Sequence, residues 1–381
     1  MKTGLQVLKE RKFDILKGKN IALLCHAASV DEDYNFIYDI LLENDIKVSV
    51  VFSPEHGLKS SAQDMESVNN EVFKTKTITL YGDNYDSLFP KKEQLKDIDI
   101  VLIDLQDIGS RYYTYVYTAS FFLKTAKELK TKVVVLDRPN PLGRSVEGNG
   151  IEEGFNSFVG FYPYFPNRHG LTIGEILNFL NKDINCDLEI IKIENYDGSD
   201  FFTSPYPWVL PSPNMPTVET AFLYPGACLI EGTELSEGRG TTKPFHFVGA
   251  PYINSTKLKK IMDSYDFKYV KFRDIGFKPM FQKYANEVCN GLEIHITDHK
   301  NIKPLKVYLT LIYEIYHNFK EFEWRKREYE FVKNPIAIDL LFGTDKVRNM
   351  IESGKPVEEI YNFIVKDEDI YKNKIKNYLL Y

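Results

Sequence analysis

The chain is organised around the stretch Val48–Gly57, whose sequence is VSVVFSPEHG. Apolar and β-branched residues fill its first half, which is typical of a strand buried on both faces inside a parallel sheet. Pro54 has no backbone N–H to donate and Gly57 favours a turn, so the strand ends here. Glu55 and His56 therefore lie just beyond the carboxyl end of a core strand, the edge at which open α/β sheets bind ligands. This placement predicts that Glu55 is the chemical centre of an enzyme.

Apolar runs of strand length recur on both sides of this stretch. They predict strands at residues 20–29, 46–52, 77–80, 98–105, 132–136 and 187–193. Residues 34–43 and 113–129 are predicted to be helices between them. Strands that alternate with helices predict an α/β fold with a parallel, doubly wound, Rossmann-like sheet and right-handed crossovers.

Polar side chains collect where the predicted strands end. They are His26 and Ser29 after the first strand, Glu55 and His56 after the second, Gln106 and Asp107 after the fourth, and Asp137, Arg138 and Asn140 after the fifth. Any one of them could belong to an ordinary polar loop. Their coincidence on one edge of the sheet predicts a functional site.

The length of 381 residues allows two hydrophobic cores. We predict a Rossmann-like catalytic domain over residues 1–210 and a smaller C-terminal α/β domain over residues 211–381. The proline-rich stretch 203–216 suits neither a helix nor a central strand, so it predicts a rigid segment that crosses between domains or walls the cleft. The stretch 224–242 is rich in glycine and glutamate and predicts a loop of the kind that usually binds something.

Composition limits the partners. The formal net charge of -6 favours neither nucleic acid nor an anionic membrane. No apolar run is long enough to span a membrane, and the N-terminus lacks the continuous apolar segment of a signal peptide. We therefore expect a cytoplasmic protein, or a secreted one if the sequence is that of a mature form. Neither a G-x-G-x-x-G loop nor a G-x-x-x-x-G-K-[ST] loop is present, so no nucleotide cofactor is expected.

Four arginines lie in predicted loops. They are Arg111, Arg138, Arg168 and Arg239. A guanidinium fork suits a carboxylate or phosphate of a substrate, although neighbouring acids such as Asp107, Asp137 and Glu237 could pair with the arginines instead. Together the four favour an anionic, polar small molecule as substrate.

The residue types alone leave the role of Glu55 open between general acid, general base and metal ligand. A carboxyl group buried near an apolar strand end has a raised pKa, which suits proton donation at neutral pH. A divalent metal could instead be held by Glu55 with His56, Asp104, Asp107 and His169. No spacing of fixed geometry supports such a site, and we expect no metal.

Six motifs follow one another along the chain. They are Pro54–Gly57, Asp104–Gly109 with Arg111–Tyr115, Leu136–Pro141, Arg168–Gly170, Pro211–Pro216, and Glu231–Thr233 with Ser236–Thr242. This set resembles the exo-β-N-acetylmuramidase family, and the likeness extends from the first strand to the closing Tyr378–Tyr381. It covers nearly the whole chain.

The resemblance implies a Rossmann-like N-terminal domain and a smaller C-terminal α/β domain, with the site in the cleft between them. It also implies hydrolysis of the β-glycosidic bond that releases N-acetylmuramic acid from the non-reducing end of peptidoglycan fragments. Glu55 corresponds to the glutamate held to be catalytic in that family. The expected substrate is a small muropeptide or disaccharide, and no cofactor is implied.

Glycosidases normally use two carboxyl groups, and the second could be Asp107, Asp137, Glu231 or Glu237. We hypothesise that Glu55 is the general acid, that Arg138 or Arg239 binds the lactyl carboxylate, and that Tyr112 or Tyr113 contacts the sugar. The candidate catalytic residues are Glu55, Asp107 and Glu231. The candidate substrate-binding residues are His56, Gln106, Arg111, Tyr112, Tyr113, Arg138, Asn140, Arg168, His169, Asn214, Glu237 and Arg239.

Two other classes of protein remain open. A non-catalytic protein that binds muropeptides or sugars would keep the arginines and aromatic residues, but would not need Glu55 as an acid. A metal-dependent hydrolase acting on phosphate or amide bonds would be sensitive to chelators. The sequence predicts no oligomeric state.

Overall fold

The computed structural model describes residues 1–58, 75–80, 85–202 and 208–381. The first part of the proline-rich stretch, residues 203–207, lies outside the described residues. Among the residues that are described, no helix combines the length and the apolar character needed to cross a membrane.

A six-stranded parallel sheet forms the first part of the molecule. Its strands are β1 (Ile21–Cys25), β2 (Val48–Ser53), β3 (Lys76–Thr79), β4 (Ile100–Asp104), β5 (Lys132–Leu136) and β6 (Leu188–Ile191). The spatial order is β3-β2-β1-β4-β5-β6, and every neighbouring pair is parallel. This is the strand order of the doubly wound Rossmann fold. The predicted α/β class is confirmed.

Both faces of this sheet are buried, as the continuous apolar runs predict. Ile21 and Leu23 of β1 belong to a core with the helices α1 (Gly4–Glu10) and α2 (Ile37–Glu43). Leu24, on the opposite face of the strand, belongs to the larger core. Successive side chains of a strand point to opposite faces, so a strand covered on both sides has no polar face.

The remaining helices flank the sheet or build the second part. They are α3 (Tyr115–Leu129), α4 (Ile173–Ile184), α5 (Val218–Ala227), α6 (Ser255–Asp263), α7 (Pro304–Asn318), α8 (Ala337–Phe342), α9 (Lys346–Glu352), α10 (Val357–Val365) and α11 (Glu368–Ile375). Most predicted boundaries agree within a few residues. Helix α2 starts later than predicted because Tyr34 has a φ of 64°, which a right-handed helix does not accommodate.

The second, smaller part contains an antiparallel sheet. Its strands are β7 (Phe247–Ala250), β8 (Val270–Phe277) and β9 (Cys289–Ile296), in the order β7-β9-β8. The larger hydrophobic core includes Leu24 of β1 and Phe122 of α3 together with Leu292 of β9 and Tyr308 of α7. The two parts therefore share one continuous apolar core.

The prediction of a loop over residues 224–242 is wrong for its first part. Residues 218–227 form α5, and Cys228–Gly232 continues as a 3₁₀-helix. Gly226, one of the glycines that suggested a loop, serves helix packing instead. A Cβ atom on Gly226 would lie 2.1 Å from the carbonyl oxygen of Pro304, at the start of α7. Only glycine allows the two helices to approach this closely.

Candidate active site

Glu55 lies in a sharp turn directly after β2. His56 has a φ of 70° and Gly57 a φ of 75°, so two consecutive residues adopt the left-handed conformation. For His56 this conformation is unfavourable, and such strain recurs at functional sites. The turn leaves the Glu55 side chain buried, with 7% of the residue exposed. The predicted position of a carboxyl group at the end of a core strand is confirmed.

A small cavity of about 30 Å³, called here the inner cavity, opens beside Glu55. Both parts of the molecule line it. Predicted site residues that line it are Glu55, His56, Tyr112, Tyr113, Asn214, Glu231 and Arg239. A volume of this size has room for one or two water molecules.

Hydrogen bonds fix the Glu55 carboxyl group and its backbone. The Thr114 hydroxyl donates to Glu55 Oε2 at 2.8 Å. The Tyr115 hydroxyl lies 3.4 Å from the Glu55 carbonyl oxygen and 2.7 Å from that of Pro211, to which it also donates. His56 Nε2 lies 3.9 Å from Glu55 Oε1. The start of α3 therefore positions Glu55 against the segment that begins at Pro211.

Burial raises the pKa of Glu55 to about 7. The Thr114 hydrogen bond and the positive charge of Arg239 lower this pKa, whereas the negative charge of Glu231 raises it. The desolvation of the charged form outweighs the two groups that stabilise it. Near neutral pH the carboxyl group is therefore present in both protonation states, as a general acid requires.

Glu231 shares the inner cavity and belongs to a buried network of charges. Arg239 Nη2 donates to Glu231 Oε1 at 2.8 Å, and the Tyr329 hydroxyl donates to Oε2 at 2.8 Å. Arg239 Nε also lies 3.3 Å from Glu237 Oε1, and Lys283 Nζ lies 3.0 Å from Glu237 Oε2. Burial alone would raise the pKa of Glu237, but Lys283 and Arg239 reverse the shift and lower it. Glu237 is therefore held as a carboxylate behind Arg239.

The other two candidates for the second carboxyl group have structural partners. Asp137 accepts hydrogen bonds from Gly174 N at 2.8 Å, from the Thr172 hydroxyl at 2.7 Å and from the Tyr381 hydroxyl at 2.7 Å. It joins the start of α4 to Tyr381. Asp107 accepts from Gly109 N at 2.7 Å and lies 3.2 Å from His169 Nε2. Neither carboxyl group lines the inner cavity.

Three of the four predicted anion-binding arginines lie outside the inner cavity. Arg111 donates to the carbonyl oxygens of Phe165 at 3.2 Å and of Leu341. Arg168 donates to the Leu142 carbonyl oxygen at 2.8 Å. Both are buried and bind backbone of distant segments, which is a structural role. Of the four arginines, Arg239 is the one that lines the cavity.

Arg138 forms a buried ion pair with Asp104. Its Nη2 lies 2.8 Å from Asp104 Oδ2, and the same nitrogen donates to the Val30 carbonyl oxygen at 2.9 Å. Both side chains are almost completely buried. The pair holds the ends of β4 and β5 together, so Arg138 is not placed to bind a substrate in the inner cavity.

Replacing Arg138 by glutamine is therefore expected to lower the free energy of unfolding by about 3–5 kcal/mol, because Asp104 would stay buried without its partner. Unfolding in urea measures this loss. Arg11→Gln is the matched control, since Arg11 is exposed and its ion pair with Asp14 is worth less than about 1 kcal/mol. An Arg138→Gln protein with wild-type stability would contradict the structural role.

The remaining predicted residues hold the polar edge of the sheet together. Gln106 Nε2 donates to the Pro139 carbonyl oxygen at 3.0 Å, and Gln106 N donates to His26 Nε2 at 2.9 Å. Asn140 Nδ2 donates to the Leu171 carbonyl oxygen at 3.0 Å, and His169 Nδ1 accepts from Leu171 N at 3.2 Å. The edge between β1 and β4, where Rossmann folds bind ligands, is thus filled by hydrogen bonds within the protein.

Thr114 and Tyr329 contact the two carboxyl groups of the cavity but are not among the site residues that the sequence predicts. Thr114 lies within the Arg111–Tyr115 motif, so the sequence indicates that it is near the site. The motif does not indicate that its hydroxyl group binds Glu55. Tyr329 reaches Glu231 across 98 positions of sequence, and no local pattern marks it. Within the described parts of the chain, no three His, Cys, Asp or Glu residues are grouped so that they could share a metal ion.

Known proteins resemble this chain over its whole length. The model for the N-terminal part of the exo-β-N-acetylmuramidase NamZ family matches residues 21–219, and the model for its C-terminal part matches residues 222–381. The peptidoglycan β-N-acetylmuramidase NamZ of Bacillus subtilis (strain 168) is 39% identical over 386 aligned positions, which cover 100% of this chain and 91% of that protein.

Two crystal structures of DUF1343 family proteins from Bacteroides fragilis share the fold. One is 28% identical, with a TM-score of 0.88, and the other is 30% identical, with a TM-score of 0.76. Each likeness covers 100% of this chain and 98% of the other. The family matches and the full-length identity support one conclusion. The chain belongs to the exo-β-N-acetylmuramidase NamZ family.

Proposed function

We propose that this protein is a glycosidase that releases N-acetylmuramic acid from the non-reducing end of small peptidoglycan fragments, with Glu55 as the general acid. The observation that carries the proposal is a buried Glu55 with a pKa of about 7, facing a cavity that it shares with Glu231. Family membership supplies the type of bond and the sugar.

Glu55 donates its proton to the glycosidic oxygen while the bond from that oxygen to the anomeric carbon breaks. The leaving sugar departs as a neutral alcohol. Water adds to the anomeric carbon and gives up a proton, which restores the carboxyl group. We assign the second carboxylate to Glu231, because it lines the inner cavity and its negative charge acts on Glu55.

Arg239 is the proposed partner of the lactyl carboxylate of N-acetylmuramic acid. It lies between Glu231 and Glu237 and stacks on Phe245, with 5.1 Å from its guanidinium carbon to the ring centre. A planar guanidinium held in this way can donate hydrogen bonds to a carboxylate from a remaining edge. Tyr112 and Tyr113 line the same cavity and are proposed to contact the sugar. The expectation of a cytoplasmic location stays a prediction.

Hydrolysis of a chromogenic β-N-acetylmuraminide tests the proposal. We expect the purified protein to release the chromophore at the same rate with and without a chelator. Calorimetry with N-acetylmuramic acid should be run alongside. Binding without any release would favour the non-catalytic sugar-binding protein, and release abolished by the chelator would favour the metal-dependent hydrolase.

Thr114→Val is expected to move the basic limb of the pH profile of kcat/KM to higher pH by about one unit. The Thr114 hydroxyl stabilises the Glu55 carboxylate, so its loss raises the pKa of Glu55 further. The acid acts in its protonated form, and the variant therefore stays active to higher pH. Thr114→Ser is the control and should keep the wild-type profile. A profile unchanged in Thr114→Val would contradict the assignment.

A further inference from the structure

A second cavity, called here the outer cavity, has a volume of about 820 Å³ and shares Glu231 with the inner cavity. Its walls come from the smaller part of the molecule and include Tyr252, Tyr284, Glu321 and Glu323. A volume of this size is typical of sites for small organic molecules. A substrate of two sugars needs space beyond the inner cavity, and the outer cavity is a neighbouring space that shares Glu231 with it.

A cluster of paired charges lies where the two cavities meet at Glu231. Lys283 Nζ donates to the carbonyl oxygens of Ile230 at 3.1 Å and Leu235 at 2.9 Å, and it lies 3.0 Å from Glu237 Oε2. Through Glu237 and Arg239 this cluster reaches Glu231. Glu231 lines both cavities, so a substrate whose scissile bond lies beside it could extend into each of them.

The chemistry of the outer cavity suits hydroxyl groups. The Tyr252 hydroxyl oxygen is buried and has no hydrogen-bond partner among the described residues. Burial, together with the charges of Glu321, Glu323 and Glu234 near this hydroxyl, raises the pKa of Tyr252. An unpaired buried hydroxyl is costly unless a ligand or water satisfies it. The carboxylates of Glu321 and Glu323 line the same cavity and are able to accept hydrogen bonds from the hydroxyl groups of a sugar.

The charge of the outer cavity favours a neutral ligand over an anionic one. Five glutamates line it, against one lysine and two arginines. Lys283 is already bound to Glu237, and Arg327 lies 3.7 Å from Glu234. Glu231 is likewise paired with Arg239, so the rest of the charged lining is Glu321 and Glu323 against Arg325. A ligand carboxylate would therefore meet a small excess of negative charge. A sugar without a carboxylate would not.

We propose that the outer cavity binds the leaving group of the substrate, a neutral saccharide, while the muramyl ring occupies the inner cavity. This inference rests on the proposed function. Tyr252 and Glu323 are specificity-determining residues in this arrangement. They act on the departing sugar and lie away from the proton transfer at Glu55.

The test compares two substrates that share the muramyl ring. One is the disaccharide of N-acetylmuramic acid β-linked to N-acetylglucosamine, and the other is the 4-nitrophenyl β-N-acetylmuraminide. In Tyr252→Phe and in Glu323→Gln, the ratio of kcat/KM for the disaccharide to kcat/KM for the nitrophenyl substrate should fall by about tenfold. Glu328→Gln is the matched control, because Glu328 is exposed on the same segment and does not line the cavity. Its ratio should equal that of the wild type.

The outcomes separate this inference from the proposed function. A ratio unchanged in both Tyr252→Phe and Glu323→Gln, with wild-type hydrolysis of both substrates, would overturn the leaving-group site and leave the proposed function intact. A ratio that falls equally in Glu328→Gln would also overturn it. A wild-type protein that hydrolyses neither substrate would overturn both proposals.

Discussion

Glu55→Gln is expected to lower kcat for the β-linked disaccharide by a factor of about 10² to 10⁴, which is the rate enhancement that a general acid contributes. Glutamine keeps the shape of the side chain but has no proton to give to the glycosidic oxygen. The loss should be much smaller for a dinitrophenyl β-N-acetylmuraminide, because that leaving group departs as a stable anion without protonation. Steady-state kinetics on the two substrates measure the difference.

The stability of Glu55→Gln provides the control. The folded pKa of Glu55, about 7, lies above its ordinary value of 4.5, so ionisation favours the unfolded chain. Stability from this group is present at low pH and is lost as the pH rises from about 4.5 through 7. Glutamine stays neutral, so at pH 8 the variant should be at least as stable as the wild type. If Glu55→Gln lost as much activity on the dinitrophenyl substrate as on the disaccharide, the assignment of Glu55 as general acid would be contradicted.

Glu231→Gln is expected to lower kcat by a factor of about 10² or more. Glycoside hydrolysis normally uses two carboxyl groups, and this variant lacks the second. Removing this negative charge should also lower the pKa of Glu55, because Glu231 raises it in the wild type. The basic limb of the pH profile should therefore move to lower pH. This shift has the opposite sign to the one expected for Thr114→Val.

Asp107→Asn is the matched comparison for Glu231→Gln. Asp107 is another buried carboxyl group that the sequence offers, but its partners are Gly109 N and His169. We expect Asp107→Asn to lower the free energy of unfolding and to leave the basic limb of the pH profile in place. If Asp107→Asn lost as much kcat as Glu231→Gln and Glu231→Gln left the pH profile unchanged, the second carboxylate would have to be reassigned.

The parallel sheet and the position of Glu55 could be predicted because both depend on local sequence. A strand covered on both faces is continuously apolar, and Pro54 and Gly57 end it within a few residues. The order of strands and helices then restricts the sheet to few topologies. The sheet and the position of Glu55 can therefore be predicted without knowing which residues distant in sequence are in contact.

The roles of the polar residues could not be predicted in the same way, because distant contacts decide them. Arg111 binds the Leu341 carbonyl oxygen, 230 positions away, and Arg138 pairs with Asp104 across 34 positions. In sequence both look like anion-binding residues in loops. The helix at 218–227 was missed for a related reason, since Gly226 looks like a turn residue until the approach of α7 is known.

The most direct test is to use mass spectrometry to identify the sugars that the protein releases from the disaccharide of N-acetylmuramic acid and N-acetylglucosamine. Wild type and Glu55→Gln should be compared, each with and without a chelator. We predict equimolar release of both free sugars by the wild type, unaffected by the chelator, and almost none by Glu55→Gln. A wild-type protein that binds the disaccharide and leaves it intact, or a Glu55→Gln protein that cleaves it at the wild-type rate, would contradict the account.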